Sequence, residues 1–185
     1  MTRARTLTVV VLSVVALGLT ACSSSSATPT TTATTAAPST TPTTSGPPST
    51  IPTADVSPAG TAGSAPTVTV PSGSPPTRLE TADLITGTGP AAKAGDSVTV
   101  QYVLATYSSG KTIQSSWTGQ PFTFTLDATP EQVIPGWDQG VVGMQVGGRR
   151  ELIIPPSLGY GAQPPGAGIA ANDTLVFIVD LLKIN

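Results

Sequence analysis

The chain contains no histidine, and its one cysteine is Cys22. Without histidine there is no Ser-His-Asp or Cys-His catalysis, and the usual zinc ligand sets are out of reach. One cysteine makes neither a disulfide framework nor a Cys-rich metal site. Charge is also scarce: 8 basic and 10 acidic residues are spread over 185. Arg149-Arg150 is the only adjacent basic pair, which excludes the clustered basic face that nucleic acid requires. Aromatic residues are few, and none lies between residues 23 and 76.

The N-terminus points to export. Arg3 and Arg5 precede an apolar run from Leu7 to Leu19, which ends in Leu19-Thr20-Ala21-Cys22. A basic start, a short apolar core and small residues before the cut form an export signal, and the run falls short of the roughly 20 residues that span a bilayer. The final four residues resemble a bacterial lipobox, which implies a signal peptide over residues 1–21 and a lipid on Cys22 that anchors the mature chain to the outer face of the cell membrane. Loss of Arg3 and Arg5 leaves six basic residues against ten acidic ones, a net charge near −4.

Residues 22–76 read as a tether. Ser, Thr, Pro, Ala and Gly make up nearly all of it, and Asp55 is its only charge. Such a composition buries too little apolar surface to offset the entropy of ordering, so disorder is expected. The alternation at Val68 and Val70 is too brief to predict a strand.

Residues 77–185 are the length of one small domain with a single core. Alternation predicts strands over Ser97–Leu104, with Val98, Val100, Tyr102 and Leu104 on one face, and again at Phe122, Phe124 and Leu126. Two further strands are expected over Arg150–Ile154 and Thr174–Ile184. The last of these is apolar on both faces apart from Asp180, as a central strand is. A turn is expected at Ser108-Ser109-Gly110-Lys111. Pro155 to Asp173 reads as a long Gly/Pro-rich loop of the kind that carries function.

One helix is expected. Pro135 suits its first position, and Trp137, Val141 and Met144 then follow at i, i+4 and i+7 on one face, with glycines 140, 143, 147 and 148 limiting its length. Trp137 there fits either a core residue or the floor of a binding pocket. Asp96, Asp127, Asp138 and Asp173 read as turn formers and caps. The connections between strands are too short for crossover helices outside residues 127–148, which gives an α+β fold: an antiparallel sheet with a helix packed on one side.

Over residues 78–185 the order of pieces resembles the FKBP family of peptidyl-prolyl cis–trans isomerases. The match runs through Val100-Gln101-Tyr102, Ser109-Gly110-Lys111, Ser115-Ser116, Pro121-Phe122-Thr123-Phe124, Val133-Ile134-Pro135-Gly136-Trp137, Gly140-Val141, Met144-Gln145-Val146-Gly147, Leu158-Gly159-Tyr160-Gly161 and Thr174-Leu175-Val176-Phe177. The resemblance implies a strongly twisted antiparallel β-sheet wrapped around one short α-helix, with an apolar pocket between them. It assigns Tyr102, Phe122, Val133, Ile134, Trp137, Tyr160 and Phe177 to catalysis and Ile113, Gln114 and Ile169 to substrate binding. Trp137 is then the floor, and the Ile134 N–H and the Tyr160 hydroxyl hold carbonyls of the peptide.

The family's mechanism implies no metal and no cofactor. Xaa-Pro segments of exported proteins are the expected partners, with macrolides a further ligand class, and a monomer is expected. Two departures stand out: Ile113-Gln114 occupies the place of an aromatic followed by aspartate, and Pro164-Pro165-Gly166 replaces a loop that often carries histidine. They leave a second reading open, a weakly active or inactive module that binds or chaperones Pro-containing segments.

Overall fold

The structure, a computed structural model, describes residues 48–52, 56–166 and 168–185. The signal peptide, Cys22 and the first half of the tether lie outside the described residues. Seven strands form one sheet: β1 (Ser49–Thr50), β2 (Glu80–Ile85), β3 (Ser97–Thr106), β4 (Thr112–Ser115), β5 (Phe122–Thr125), β6 (Arg149–Ile154) and β7 (Leu175–Ile184). Their order is β1-β2-β6-β7-β3-β4, with β5 also paired to β3. All pairings are antiparallel except β1 with β2.

The long β7 lies between β6 and β3 and is buried along both faces over most of its length, as its near-continuous apolar sequence dictates. Leu175, Phe177, Val179 and Leu181 face the main core, while Val176 joins Ile153 on the other side. Alternation along β3 likewise sends Val98, Val100 and Leu104 into the core. The polar strands β2 and β4, Glu-Thr-Ala-Asp-Leu-Ile and Thr-Ile-Gln-Ser, carry too little apolar periodicity to announce themselves, and pairing with β6 and β3 creates them.

β5 pairs with Ser97–Val100 and β4 with Val103–Ala105, so the two short strands share one edge of β3. Tyr102 lies between these two pairings. Its N–H donates to Ser116 Oγ at 2.8 Å, its carbonyl accepts the Ser116 N–H at 3.0 Å, and Ser116 Oγ also meets Gln101 Oε1.

The helix α1 spans Pro135–Val141 and packs against β6. Pro135 takes the first position, Ile134 precedes it in extended conformation, and no side chain caps the end. The helix is one turn shorter than the expected stripe: Met144 lies beyond it, yet stays buried, with its N–H donating to the Val141 carbonyl at 3.0 Å. On the face toward the sheet are Gly136 and Gly140. A Cβ there would fall 2.4 Å from Ile154 Cγ2 and 2.7 Å from Leu152 Cδ2, so the helix backbone rests directly on β6.

The expectation of a tether through residue 76 requires correction. Residues 48–52 and 56–76 lie on the sheet, on the face away from α1. Ile51 is buried with Ile153 and Val176, and Val56, Val68, Val70, Ala82 and Tyr107 pack around them. Val68 and Val70 form no strand but do bury apolar surface. The segment has too few apolar residues to make a core of its own, and it orders by adding them to one the sheet supplies.

Candidate active site: a neutral aromatic cavity

Between α1, the sheet and the long loop lies a cavity of about 180 Å³, lined by Tyr102, Gln114, Phe122, Gln132, Val133, Ile134, Trp137, Tyr160 and Phe177. None of these side chains carries a charge at neutral pH. Trp137 is 4% exposed and lies at the centre of an aromatic cluster. Its ring centroid is 5.2 Å from Phe177, 5.3 Å from Phe124, 5.4 Å from Tyr102 and 6.1 Å from Phe122, mostly in edge-on geometry. Such arrangements add about 0.5–1.5 kcal/mol per pair beyond burial and hold the rings in fixed orientation. The Trp137 Nε1–H is buried without a hydrogen-bond partner among the described residues.

Each wall has a local cause. Strand β3 supplies Tyr102 and β5 supplies Phe122 through register with Val100, while β7 supplies Phe177 opposite Leu104. Val133 and Ile134 close the segment before α1. Gln132 Oε1 accepts the Thr125 N–H at 2.9 Å, and Asp138 Oδ1 accepts the Asp127 N–H at 2.9 Å, tying both ends of the connection between β5 and α1. Asp138 therefore braces this connection rather than capping its own helix. Burial pushes its carboxyl above the usual range; the Asp127 N–H opposes this, and the charges of Asp127 and Glu131 add to it.

Tyr160 projects from the loop between β6 and β7. That loop is bonded to itself, through a 3-10 turn over Pro156–Leu158, Gly161 N–H to the Pro156 carbonyl at 3.0 Å, and Asn172 N–H to the Gly161 carbonyl at 2.8 Å. At its end the Asp173 carboxylate accepts the Ser108 N–H at 3.1 Å and the Ser108 hydroxyl at 2.5 Å, fixing the loop to the β3–β4 turn. The ring is therefore presented by an ordered loop.

The Tyr102 and Tyr160 hydroxyls and the Gln114 and Gln132 amides bring hydrogen-bond donors to the cavity, and acceptors with them. The Ile134 N–H has no acceptor among the described residues. Burial raises the Tyr102 phenol above its ordinary value, with a further contribution from Tyr160, and burial alone raises Tyr160. Both hydroxyls consequently stay protonated and able to donate at physiological pH.

All seven residues assigned to catalysis from the sequence meet at this cavity, together with Gln114. Ile113 and Ile169 do not line it; they pack against the core cluster, and Gly168 lies beside Ile113, where a Cβ would make ordinary contact with its Cγ2 at 3.5 Å. Gln132 is a wall residue that sequence reasoning missed. Its place beside Val133 in the segment entering the helix was the available signal. A neighbouring groove of about 360 Å³ shares Gln132, Val133, Ile134 and Tyr160 and adds Glu131, extending the path past Ile134.

Known proteins resemble this chain in sequence and in fold. The sequence profile of the FKBP-type peptidyl-prolyl cis-trans isomerase family matches residues 89–182. An FK506-binding protein of Streptomyces anulatus is 50% identical over 108 residues, 57% of this chain and 86% of that one. FK506-binding protein 2 of Dictyostelium discoideum is 47% identical over 93 residues, 50% of this chain and 68% of that one. The crystal structure of FkpA from Escherichia coli superposes with a TM-score of 0.52 at 40% identity, covering 59% of this chain and 49% of that one. A peptidyl-prolyl cis-trans isomerase of Pseudomonas syringae does so with a TM-score of 0.51 at 34% identity, covering 58% and 75%. By profile, identity and fold, the chain belongs to the FKBP-type peptidyl-prolyl cis-trans isomerases.

Proposed function

We propose that this isomerase acts on Xaa-Pro bonds of exported proteins, held at the outer face of the cell membrane by a lipid on Cys22. The observation that carries the catalytic part is the uncharged aromatic cavity, with two protonated tyrosines and an Ile134 N–H that has no acceptor among the described residues. Planar amide resonance gives the peptide bond a rotational barrier of about 18–20 kcal/mol, and Xaa-Pro bonds exchange unaided in tens to hundreds of seconds. Rotation breaks that resonance and draws charge off the carbonyl oxygen. A dry apolar site therefore penalises the planar ground state more than the twisted state, and rings that grip the proline hold it while the preceding carbonyl turns. The Ile134 N–H and the Tyr160 hydroxyl orient carbonyls of the bound chain without transferring protons. Each factor of ten in rate requires about 1.4 kcal/mol of such differential binding.

Export and anchoring rest on the basic start, the apolar run and the Leu19-Thr20-Ala21-Cys22 ending. Macrolides suit the same cavity, and a monomer suits a domain whose site is complete within one chain. One feature favours a second reading, a binding module with little turnover: Gln114 brings a neutral amide to the wall. An exchange assay on Xaa-Pro peptides with the full chain separates the two. Acceleration above the uncatalysed rate at micromolar protein supports the enzyme, and binding without acceleration supports the module. Metabolic labelling with a radioactive fatty acid, lost in Cys22→Ser, tests the anchor.

A further inference from the structure

Side chains of β6 alternate between two environments. Leu152 and Ile154 face the core beneath α1, whereas Arg149, Glu151 and Ile153 point to the opposite face, beside Asp180, Ile178 and Val176 of β7. Arg149 and Glu151 are 1% and 0% exposed, although among the described residues that face of the sheet carries no helix. Two buried charges are stable only when their hydrogen-bonding capacity is met.

Asp180 meets part of it, through Arg149 Nε at 2.6 Å and Nη2 at 2.7 Å. The rest comes from residues 56–76. The Ala59 carbonyl accepts from Arg149 Nη1 at 2.8 Å and the Ser64 carbonyl from Nη2 at 2.7 Å, while the guanidinium carbon lies 5.9 Å from the centre of the Trp117 ring. Glu151 accepts the Ser57 N–H at 2.8 Å and the Ser57 hydroxyl at 2.7 Å. Ile51 then inserts next to Ile153 and Val176.

We infer that this face is a second polypeptide-binding surface, distinct from the isomerase cavity and occupied in cis by residues 48–52 and 56–76. The contacts are selective. Glu151 reads both donors of one serine, and Ser57 Oγ in turn accepts the Thr69 N–H at 2.9 Å, drawing the two limbs of the segment together. Arg149 reads two carbonyls five residues apart, across a turn closed by the Ser64 N–H and the Thr61 carbonyl. Gly60 immediately precedes that turn at φ +63°, where a Cβ would lie 3.1 Å from Arg149 Nη1, so both the backbone conformation and the close approach favour glycine. β1 completes the hold, with Ser49 and Ile51 donating to the Leu79 and Thr81 carbonyls. The sequence match to the isomerase family spans residues 89–182, so the side chains of this surface belong to the matched domain while the segment that occupies it precedes the match.

Hydrogen exchange of the full chain, followed by NMR, tests the inference. The amides of Ser49, Ile51, Ser57 and Thr69 are expected to exchange at least tenfold more slowly than in an unstructured peptide of the same sequence. Ser57→Ala and Gly60→Val, both confined to the segment, are expected to remove that protection while amides of β3 stay slow and the isomerase rate stays unchanged. Unstructured rates at all four amides in the native chain, or protection that survives both substitutions, overturns it.

Discussion

Replacing Trp137 with alanine removes the side chain that meets four other rings, those of Tyr102, Phe122, Phe124 and Phe177. Truncating a buried tryptophan costs about 3–5 kcal/mol. Four ring partners at 5.2–6.1 Å place this site high in that range, since each contributes beyond simple burial. An opposing effect lowers the figure: the indole N–H is buried without a partner, and an unsatisfied donor already costs the native state about 1–3 kcal/mol. The net expectation is a loss of about 3 kcal/mol, or a Tm lower by roughly 10 °C. Circular dichroism is the right monitor, because Trp117 and Trp137 are the only tryptophans and fluorescence would lose one of its two sources. Trp137→Phe separates stability from catalysis: it keeps an aromatic floor and most of the fold, while isomerase kcat/KM is expected to drop at least tenfold. An alanine variant with Tm within about 2 °C of the parent and an unchanged rate would refute the placement of the floor.

Tyr160→Phe deletes one donor to a neutral carbonyl, worth about 0.5–1.5 kcal/mol, so kcat/KM should fall about 2- to 10-fold with Tm unchanged, read by peptide exchange and thermal melting. Gly136→Ala forces a methyl group to within 2.4 Å of Ile154 Cγ2 and is expected to cost about 1–3 kcal/mol in denaturant unfolding. Gln114→Asp introduces an acceptor that forms charge-assisted bonds, and several-fold tighter macrolide binding by calorimetry is expected. The Glu151 carboxyl is raised first by burial, against the opposing hydrogen bonds from Ser57. With its folded pKa above its unfolded one, the stability it contributes is full below the unfolded value and is lost as pH rises through the folded value. Unfolding measured from pH 4 upward should therefore show native stability falling relative to Glu151→Gln, and parallel curves would contradict this.

What the sequence disclosed and what it concealed follow from how each element is stabilised. β3, β7 and the helix start were legible because Val98-Val100, Leu175-Val179 and Pro135-Trp137 carry their own periodicity and termini. β2 and β4 were not, because polar strands exist only through their partners. Seven aromatic and aliphatic cavity residues could be named in advance. Ile113 and Ile169 pack on the same core cluster as the wall residues Tyr102, Val133, Ile134 and Tyr160 without lining the cavity, a difference that apolar character alone does not announce, and Gln132 was overlooked because a wall glutamine looks like any surface amide. Residues 22–76 read as a tether for a related reason. Composition reports whether a segment can make a core, and says nothing of whether it can share one with Ile153 and Val176.

The contact of Gly136 and Gly140 with β6 bears on how the family site can diverge. The height of the tryptophan floor is set where helix backbone meets Leu152 and Ile154, with no side chain between to lengthen or trim. Depth is thus a property of the fold itself, and altering it means moving a helix. Breadth is different: Gln114 stands at the exposed mouth, outside the ring cluster, where a substitution changes what is admitted without disturbing what holds the domain together. New preferences in this protein are therefore open to variation at the rim, over a floor that stays put.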